Sequence, residues 1–377
     1  MINNKFIKNS FRLLSFSMIL SSSLISSLNA GTIELKSDQD YLVTYTRPGN
    51  IIVADLKENK IINNCRTDEK FSNGIVLSPD NKIAYILGDA GEDVAGYNIE
   101  SCKKVFYTSL NEGDIQGKSN SGIAVSSDGK EIYAIYNRTK IGSDRYTVLD
   151  PMFSVYNLAD GVNAKPIKSF KIPRRMSVIS GAKDGSVYGL GSHFYNIDPK
   201  KGEVKIAKKM LDWEKTDLSN PDFFSPFITG QTLGQFSVLH VALKFKDEKK
   251  NMDEAVPYWG VTTVDLNTGN IDSHDAFTQF ESVMFTSIRN PKDSNILYGV
   301  FNDLSKYDLK NNKLLKRVPV EHSYYNVMAS ADGKKLYLGS TLNDVAIYDA
   351  DSLEKLGNIQ LPEGDMGGAT IQVFHTK

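Results

Sequence analysis

The chain has 377 residues, of which 24% are charged and 41% hydrophobic, and a formal net charge of −1. This balance argues against a nucleic-acid partner, because binding to phosphates needs a surplus of lysine and arginine. The sequence has two cysteines but no CxxCH, CxxC or HExxH motif. It therefore carries no signal for its own c-type haem, thiol redox pair or zinc site.

The first thirty residues have the pattern of an export signal. Three basic residues precede the apolar run LLSFSMILSSSLISSL, and the small residue Ala30 ends the segment. An uncleaved membrane anchor is the alternative, but the run is short for a span and serines interrupt it. We predict a signal peptide at 1–30 and one mature domain at 31–377, located in the periplasm without a membrane span. Its net charge would be −4, since the signal contains three bases and no acid.

One strand-turn-strand unit recurs seven times, as in IIVADLKENKIINN, GVTTVDLNTGNIDS and VAIYDADSLEKLGNI. In each copy an acid or amide ends the first strand; these residues are Asp55, Asn98, Asn157, Asp198, Asp265, Asp308 and Asp349. They are separated by 43, 59, 41, 67, 43 and 41 residues, and a period of about 42 residues is typical of a propeller blade. Asp and Asn suit this position because their side chains accept hydrogen bonds from backbone N–H groups two residues on.

A second hairpin lies between these units, as in GIVLSPDNKIAYIL and NVMASADGKKLYLG. Together the two hairpins give four strands, A to D, in each repeat. The prediction is an all-β fold, a seven-bladed β-propeller of four-stranded antiparallel blades. The first repeat has no A strand, whereas GATIQVFHTK follows the last complete repeat. We expect this C-terminal strand to complete blade 1 and close the ring.

The two long intervals contain extra residues at 109–121, 137–152, 208–222 and 246–258. All four segments fall in B-to-C or D-to-A connections, which share one face of a propeller. Elaboration of one face of a repeat protein predicts a partner or ligand there. Aromatic residues and arginine are enriched at interface hot spots, and the candidates on this face are Phe71, Arg174, Arg175, Trp213, Phe223, Phe224, Phe280, Tyr324 and Tyr325. The alternative is that individual aromatic residues only plug the central channel.

His322, in EHSYYNV, is the one histidine placed at the entry to an inner strand on this face. It could line a cavity or make a structural hydrogen bond. No spacing of histidines, acids or serines predicts a metal site or a catalytic residue.

The two cysteines, Cys65 and Cys102, give conflicting indications. An oxidising compartment favours a disulfide between them. Their register in neighbouring blades argues against it, because it puts them about 20 Å apart, whereas the Cα atoms of a disulfide lie within about 7 Å. The sequence leaves the bond open.

From about Asp40 to Phe374 the chain resembles the β subunit of quinohemoprotein amine dehydrogenase. The motifs that carry this resemblance are NPKDSNILYGVFNDLSKYDLKNNKLLK, EHSYYNV, KKLYLGSTLNDVAIYDADSLEKLGNIQLPEGDM and, in the middle of the chain, LKFKDEKKNMDEAVPYWG. Their order and spacing are similar throughout the last two blades. Motifs such as SPDNKIAYIL are common to many propellers and discriminate poorly.

The resemblance implies a periplasmic heterotrimer that oxidises primary amines to aldehydes and ammonia. A dihaem cytochrome c α subunit would hold the c-type haems, and a small γ subunit would hold cysteine tryptophylquinone. This chain would carry no redox centre, would seat the γ subunit and would wall part of its pocket. From the register we expect Phe71, His322, Tyr324 and Tyr325 in that wall. The alternatives are a solitary periplasmic propeller that binds a small molecule or protein, and a propeller hydrolase such as a lactonase.

Overall fold

The computed structural model describes residues 32–72, 74–224 and 229–377, and of Phe224 it describes the backbone only. The predicted signal peptide lies outside the described residues. Seven four-stranded antiparallel sheets form the blades of a propeller, as the repeats predicted. Among the described residues, no helix combines the length and the apolar character needed to cross a membrane.

The strands are numbered β1 to β30 in chain order, and each blade is given from its inner strand outward. Blade 1 consists of β30 (Gln372–His375), β1 (Asp40–Thr46), β2 (Asn50–Asp55) and β3 (Lys60–Arg66). Blade 2 consists of β4 (Ile75–Leu77), β5 (Ile83–Gly88), β6 (Asp93–Asn98) and β7 (Lys104–Ser109). Blade 3 consists of β9 (Ile123–Val125), β10 (Glu131–Ile141), β12 (Met152–Asn157) and β13 (Pro166–Lys171), with β8 (Ile115–Lys118) and β11 (Tyr146–Val148) paired to the end of β10.

The remaining four blades follow the same order. Blade 4 consists of β14 (Val178–Gly181), β15 (Val187–Leu190), β16 (Phe194–Asp198) and β17 (Glu203–Lys208). Blade 5 consists of β18 (Asp222–Phe224), β19 (Gln235–Lys244), β20 (Val256–Asp265) and β21 (Ile271–Gln279). Blade 6 consists of β22 (Thr286–Asn290), β23 (Asp293–Val300), β24 (Asp303–Asp308) and β25 (Lys313–Pro319). Blade 7 consists of β26 (Asn326–Ala329), β27 (Lys335–Gly339), β28 (Asp344–Asp349) and β29 (Lys355–Gln360). The described residues also form three short 3₁₀ helices, at Leu158–Asn163, Gln231–Leu233 and Met252–Glu254.

The C-terminal strand closes the ring, which confirms the prediction made from the incomplete first repeat. β30 pairs antiparallel with β1, with Tyr41 opposite Phe374 and Leu42 opposite Val373. The rings of Tyr41 and Phe374 stack with centroids 5.8 Å apart. Blade 1 is therefore built from both ends of the described chain, and its inner edge is covered.

The acids that end the C strands have the structural role that the repeat predicted. Asp55 accepts hydrogen bonds from the backbone N–H groups of Lys57 and Glu58, at 2.9 and 3.0 Å. Asp349 does the same for Asp351 and Ser352, at 3.0 and 2.7 Å. These bonds satisfy the N–H groups of the C-to-D turns, so the carboxylates belong to the scaffold.

Bulky rings fill the wedges between neighbouring blades, which widen away from the axis. The largest fully buried side chains are Tyr41, Tyr45, Phe106, Phe153, Tyr156, Phe194, Phe236, Trp259, Tyr298, Tyr307, Tyr324 and Tyr337. An aromatic side chain removes more apolar surface from water than an aliphatic one, so these positions contribute strongly to stability.

The structure contains a disulfide between Cys65 and Cys102, whose Cα atoms are 5.0 Å apart. The separation of about 20 Å estimated from the sequence is wrong. That estimate kept the outer strand parallel to the inner ones, whereas neighbouring strands rotate by about 20–25° and the rotation accumulates across a blade. β3 thus leans towards the C-to-D turn of blade 2, where the Asn63 side chain donates to the Ile99 carbonyl at 2.8 Å.

We call the face with the B-to-C and D-to-A connections the upper face and the opposite one the lower face. The four long segments predicted from the sequence lie in upper-face connections. The A-to-B connection of blade 5 is a further insertion, which the sequence analysis did not assign. Its described part, Thr229–Gly234, lies in the central channel: Gln231 donates to the Ile179 carbonyl at 3.3 Å and Thr232 to the Val373 carbonyl at 2.5 Å.

Candidate functional site

Among the described residues, three stacked rings lie at the upper end of the central channel, and we call them the aromatic stack. Phe285 is 4.3 Å from Tyr325 and 4.8 Å from Phe301 between ring centroids, with interplanar angles of 11° and 24°. Phe285 and Tyr325 directly precede β22 and β26, the inner strands of blades 6 and 7, and Phe301 lies in the connection between β23 and β24. All three residues are half-buried, so the stack is an apolar surface that remains partly open.

A hydrogen-bonded group next to the stack holds the segment that carries Tyr325. The Asp344 carboxylate accepts from Nε2 of His322 and from the hydroxyl of Tyr324, each at 2.8 Å. The rings of His322 and Tyr324 lie against each other with centroids 4.1 Å apart. Nδ1 of His322 lies 3.0 Å from the Ser323 carbonyl, so both ring nitrogens face acceptors.

Burial gives these side chains different roles. The Tyr324 side chain is fully buried, and burial, with the nearby Asp344 carboxylate, raises its pKa far above the usual value. Tyr324 is therefore a permanent donor to Asp344 and stands behind the surface. The His322 side chain is 24% exposed and Asp344 is 9% exposed, so the imidazole is the most accessible side chain of this cluster.

Phe71 lies on the same face, in the connection from blade 1 to blade 2. Its side chain is half exposed, and the guanidinium carbon of Arg47 lies 6.0 Å from its ring centroid. Two hydrogen bonds of 2.6 Å, from Nε and one terminal nitrogen, fix Arg47 to Asp365. A cation over an exposed ring in this arrangement presents a mixed apolar and charged surface.

The predicted aromatic residues of blades 4 and 5 pack largely against one another. Nε1 of Trp213 donates to the Ser219 carbonyl at 2.9 Å, and its ring meets His240 edge-on at 5.7 Å. Phe223 is 6.4 Å from the same histidine. His240 is fully buried, and this burial lowers its pKa to about 4, so it is neutral at neutral pH. These contacts anchor the 208–222 connection to blade 5.

The remaining predicted residues occupy separate places. Phe280 stacks on the buried Trp259 with centroids 4.8 Å apart. The side chain of Phe224 lies outside the described residues. Arg174 forms an ion pair with Asp150 at 3.2 Å. Arg175 is exposed, has a positive φ of 70°, and lines a cavity of about 350 Å³ with Leu211, Asp222 and Phe223.

Six of the predicted residues thus come together in two regions of the upper face. His322, Tyr324 and Tyr325 come together beside the channel on blade 7, while Trp213, Phe223 and Arg175 lie around blades 4 and 5. Phe285, Phe301 and Asp344 were missed. An alignment of the repeats could have found Phe285, because it holds the same position before β22 that Tyr325 holds before β26. Asp344 begins β28 as Asp93 begins β6 and Asp303 begins β24, so the repeat does not set it apart.

A buried acidic cluster between blades 1 and 2 was also missed. Glu69 and Asp93 are 2% and 4% exposed. Glu69 accepts from the Tyr97 hydroxyl at 2.6 Å and from Lys104 at 2.7 Å. One oxygen of Asp93 is buried without a partner, and the other is 3.5 Å from the Tyr107 hydroxyl. Burial, with the charges of Asp89 and Glu69, raises the pKa of Asp93 to about 7.

Within the described part of the chain, no group of three or more His, Cys, Asp or Glu side chains is arranged to hold a metal ion. Comparison with known proteins finds no matching family model and no matching curated sequence. Comparison of structures finds propellers of low sequence identity.

A functionally unknown protein from Desulfotomaculum acetoxidans has a TM-score of 0.55 and 11% identity, over 90% of this chain and 100% of the other. The dihydro-haem d1 dehydrogenase NirN has a TM-score of 0.52 and 13% identity, over 91% of this chain and 77% of the other. AztD from Citrobacter koseri, solved in its apo form, has a TM-score of 0.52 and 10% identity, over 91% and 100%. At these identities the likeness concerns the fold alone.

Proposed function

We propose that this chain is the non-redox β subunit of a periplasmic quinohemoprotein amine dehydrogenase, which oxidises primary amines to aldehydes and ammonia. The observation that carries the proposal is the aromatic stack of Phe285, Phe301 and Tyr325 beside His322 at the upper end of the channel. It lies in the two blades whose sequence most resembles that family. The elaborated connections share the same face.

The task of this chain in such a complex is to bind and to exclude water. The small γ subunit would hold cysteine tryptophylquinone and the α subunit the c-type haems, so the electron transfer would take place in the partners. The aromatic stack would wall one side of the quinone pocket. An apolar wall would exclude water from the quinone site and strengthen the electrostatic interactions inside the pocket.

The Asp344 cluster would keep this wall in place. Tyr324 and His322 both bond to Asp344, which fixes the backbone on the N-terminal side of Tyr325. The exposed edge of the His322 ring would then lie at the rim of this surface, since both of its nitrogens already face acceptors in this chain. A pocket of this kind, with few polar groups in defined places, is typical of small-molecule sites.

Co-expression of the chain with the α and γ subunits tests the proposal. We expect a coloured ternary complex that reduces a dye only when a primary amine is added, whereas the isolated chain is inactive. Isolation of the native chain as a colourless monomer from cells that make both partners would contradict the proposal and favour a solitary binding protein.

A wall variant tests the role of the aromatic stack. Phe301→Ala should lower kcat/KM for the amine by about tenfold or more while the complex still assembles, because it removes one stacked ring from the wall. Phe170→Ala is the matched control, since Phe170 stacks on Phe153 in blade 3, away from the channel. Equal effects of the two variants would argue against a wall at the stack.

A further inference from the structure

A three-stranded ribbon extends from blade 3 on the upper face. β10 has eleven residues, and the part from Asn137 to Ile141 continues beyond the four-stranded blade. There it pairs with β8 on one side and with β11 on the other. We call this structure, formed by 115–118 and 137–148, the ribbon. It lies three blades round the ring from the aromatic stack.

One side of the ribbon carries an exposed apolar stripe. Ile141 lies opposite Tyr146, and Thr139 lies opposite Val148. Residues directly opposite each other, and residues two apart along a strand, share a face of a sheet. The side chains of Ile141, Tyr146 and Val148 are therefore neighbours, and they are 45%, 75% and 68% exposed. Exposed apolar side chains that cluster in this way mark interaction sites more often than scattered ones do.

The outer edge of β11 is unpaired among the described residues, since β11 is the last strand in the order of its sheet. The N–H of Ile141 donates to the Asp114 carbonyl on the β8 side, at 2.8 Å. Ile141 and Tyr146 are therefore a non-hydrogen-bonded pair of the antiparallel ladder. The backbone N–H and C=O groups of Tyr146 and Val148 consequently point outward, where an added strand could bond to them.

The ribbon is basic although the chain as a whole is not. Its strands and hairpin contain Lys118, Arg138, Lys140 and Arg145 but only one acid, Asp144. Arg145 pairs with Asp144 at 2.7 Å, and Lys140 pairs with the neighbouring Asp114 at 3.3 Å. Lys118 and Arg138 form no such ion pair with any residue of the described ranges. An acidic partner would complement this surface.

We propose that the ribbon docks an extended, acidic segment of a partner subunit, which adds to β11 as a further strand and places apolar side chains on Ile141, Tyr146 and Val148. The proposal rests on the proposed function, in which this chain is one subunit of a complex. The stripe supplies apolar burial, the free edge supplies backbone hydrogen bonds, and the lysine and arginine residues select an acidic segment. The aromatic stack and the ribbon would then contact a partner at two distant places on one face.

The test compares binding of purified chain variants to the co-expressed α and γ subunits. The double variant Tyr146→Asp, Val148→Asp should raise Kd by about 100-fold or more, since it puts charge into the stripe and repels an acidic segment. Ile206→Asp, at a position 55% exposed on the outer strand of blade 4, is the matched control and should bind as the unchanged chain does. All variants should keep the unchanged melting temperature, because the substituted side chains are exposed.

A second measurement follows strand addition itself. Amide hydrogen exchange at Tyr146 and Val148 should slow on binding of the partner subunits, whereas the amide of Thr147, already bonded to β10, should change little. Tight binding by the double variant, or unchanged exchange at Tyr146 and Val148, would overturn the docking proposal and leave the proposed function intact. Absence of binding by the unchanged chain would overturn both.

Discussion

At the scale of single residues, two buried aspartates of the upper face differ in how their charge is accommodated. Asp344 receives one donor on each carboxylate oxygen, from His322 and Tyr324. Asp93 has one oxygen without a partner and only a long contact to Tyr107 at the other. A buried carboxylate without donors is costly when ionised. Asp93 therefore takes up its proton near neutral pH, with a pKa raised by burial to about 7.

This raised pKa predicts a stability that depends on pH. The folded chain binds the Asp93 proton more tightly than the unfolded chain, whose aspartate has its ordinary pKa, so the contribution is complete below about pH 4 and is lost as pH rises to about 7. Asp93→Asn removes the titration. We expect the free energy of unfolding of the variant, relative to the unchanged chain, to rise by roughly 2 kcal/mol between pH 5 and pH 8. Urea unfolding at the two pH values measures it.

The control for this prediction is Asp144→Asn, which changes an exposed aspartate paired with Arg145. The hydrogen bond from Arg145 lowers the pKa of this carboxyl, so the same comparison should show little difference between pH 5 and pH 8. An Asp93→Asn variant whose relative stability stays constant over this range would contradict a buried proton at Asp93.

At the scale of strands, the repeats predicted the elements that recur and missed those that depart from the repeat. The alternation of apolar residues and the regular Asp or Asn identified the seven C-to-D hairpins, because every blade has an Asp or Asn at the same position of this turn. The tilt of β3 is the sum of small rotations across a blade, and no local sequence pattern records it. The distance between Cys65 and Cys102 estimated from the register was therefore too long. The Thr229–Gly234 segment occurs once, so no second copy revealed it.

The aromatic candidates illustrate the same limit. Tyr325 was found from its place before an inner strand, and it does lie in the aromatic stack. Phe301 belongs to a short connection in another blade, and only the folded ring brings it beside Phe285. Trp213 and Phe280 are aromatic residues of the same face and were predicted on the same ground as Tyr325, yet they pack on His240 and Trp259 and lie outside the aromatic stack. Residue composition can indicate which face of the propeller is rich in aromatic side chains. Which side chains an aromatic ring packs against depends on tertiary contacts.

The disulfide is a connection between elements, and its removal tests their coupling. It joins the outer strand of blade 1 to the lower turn of blade 2 and closes a loop of 37 residues. Replacing both Cys65 and Cys102 by alanine should lower the free energy of unfolding by about 4 kcal/mol on a chain-entropy model. Guanidinium unfolding measures the loss. A reducing agent should shift the unchanged chain towards the variant and leave the variant unaffected, and identical midpoints without reductant would refute the prediction.

At the scale of the whole molecule, the ring holds together because its last strand belongs to its first blade. Val373 and Phe374 are almost completely buried, and Thr376 bonds across to the N–H of Gln39 at 3.1 Å. Without β30, the inner edge of β1 would be unpaired and the apolar face of blade 1 would be open to water. Exposed edges of this kind promote pairing between molecules.

Deletion of residues 371–377 should therefore abolish the monomer. We expect soluble aggregates or unfolded chain by size-exclusion chromatography, with loss of a sharp thermal transition, because four buried residues of β30 and its flank are removed at once. Deletion of the exposed Lys377 alone is the control and should leave both measurements unchanged. A monomeric, cooperatively melting protein without 371–377 would show that β30 is dispensable.

The segment Thr229–Gly234 lies in the central channel below the aromatic stack. It crosses the axis and binds the carbonyl groups of Ile179 and Val373, which belong to blades on different sides of the ring. The described segment therefore fills part of the central channel below the stack. If the γ subunit covers the upper face as proposed, its fit over the stack would set the rate at which small molecules exchange with the pocket.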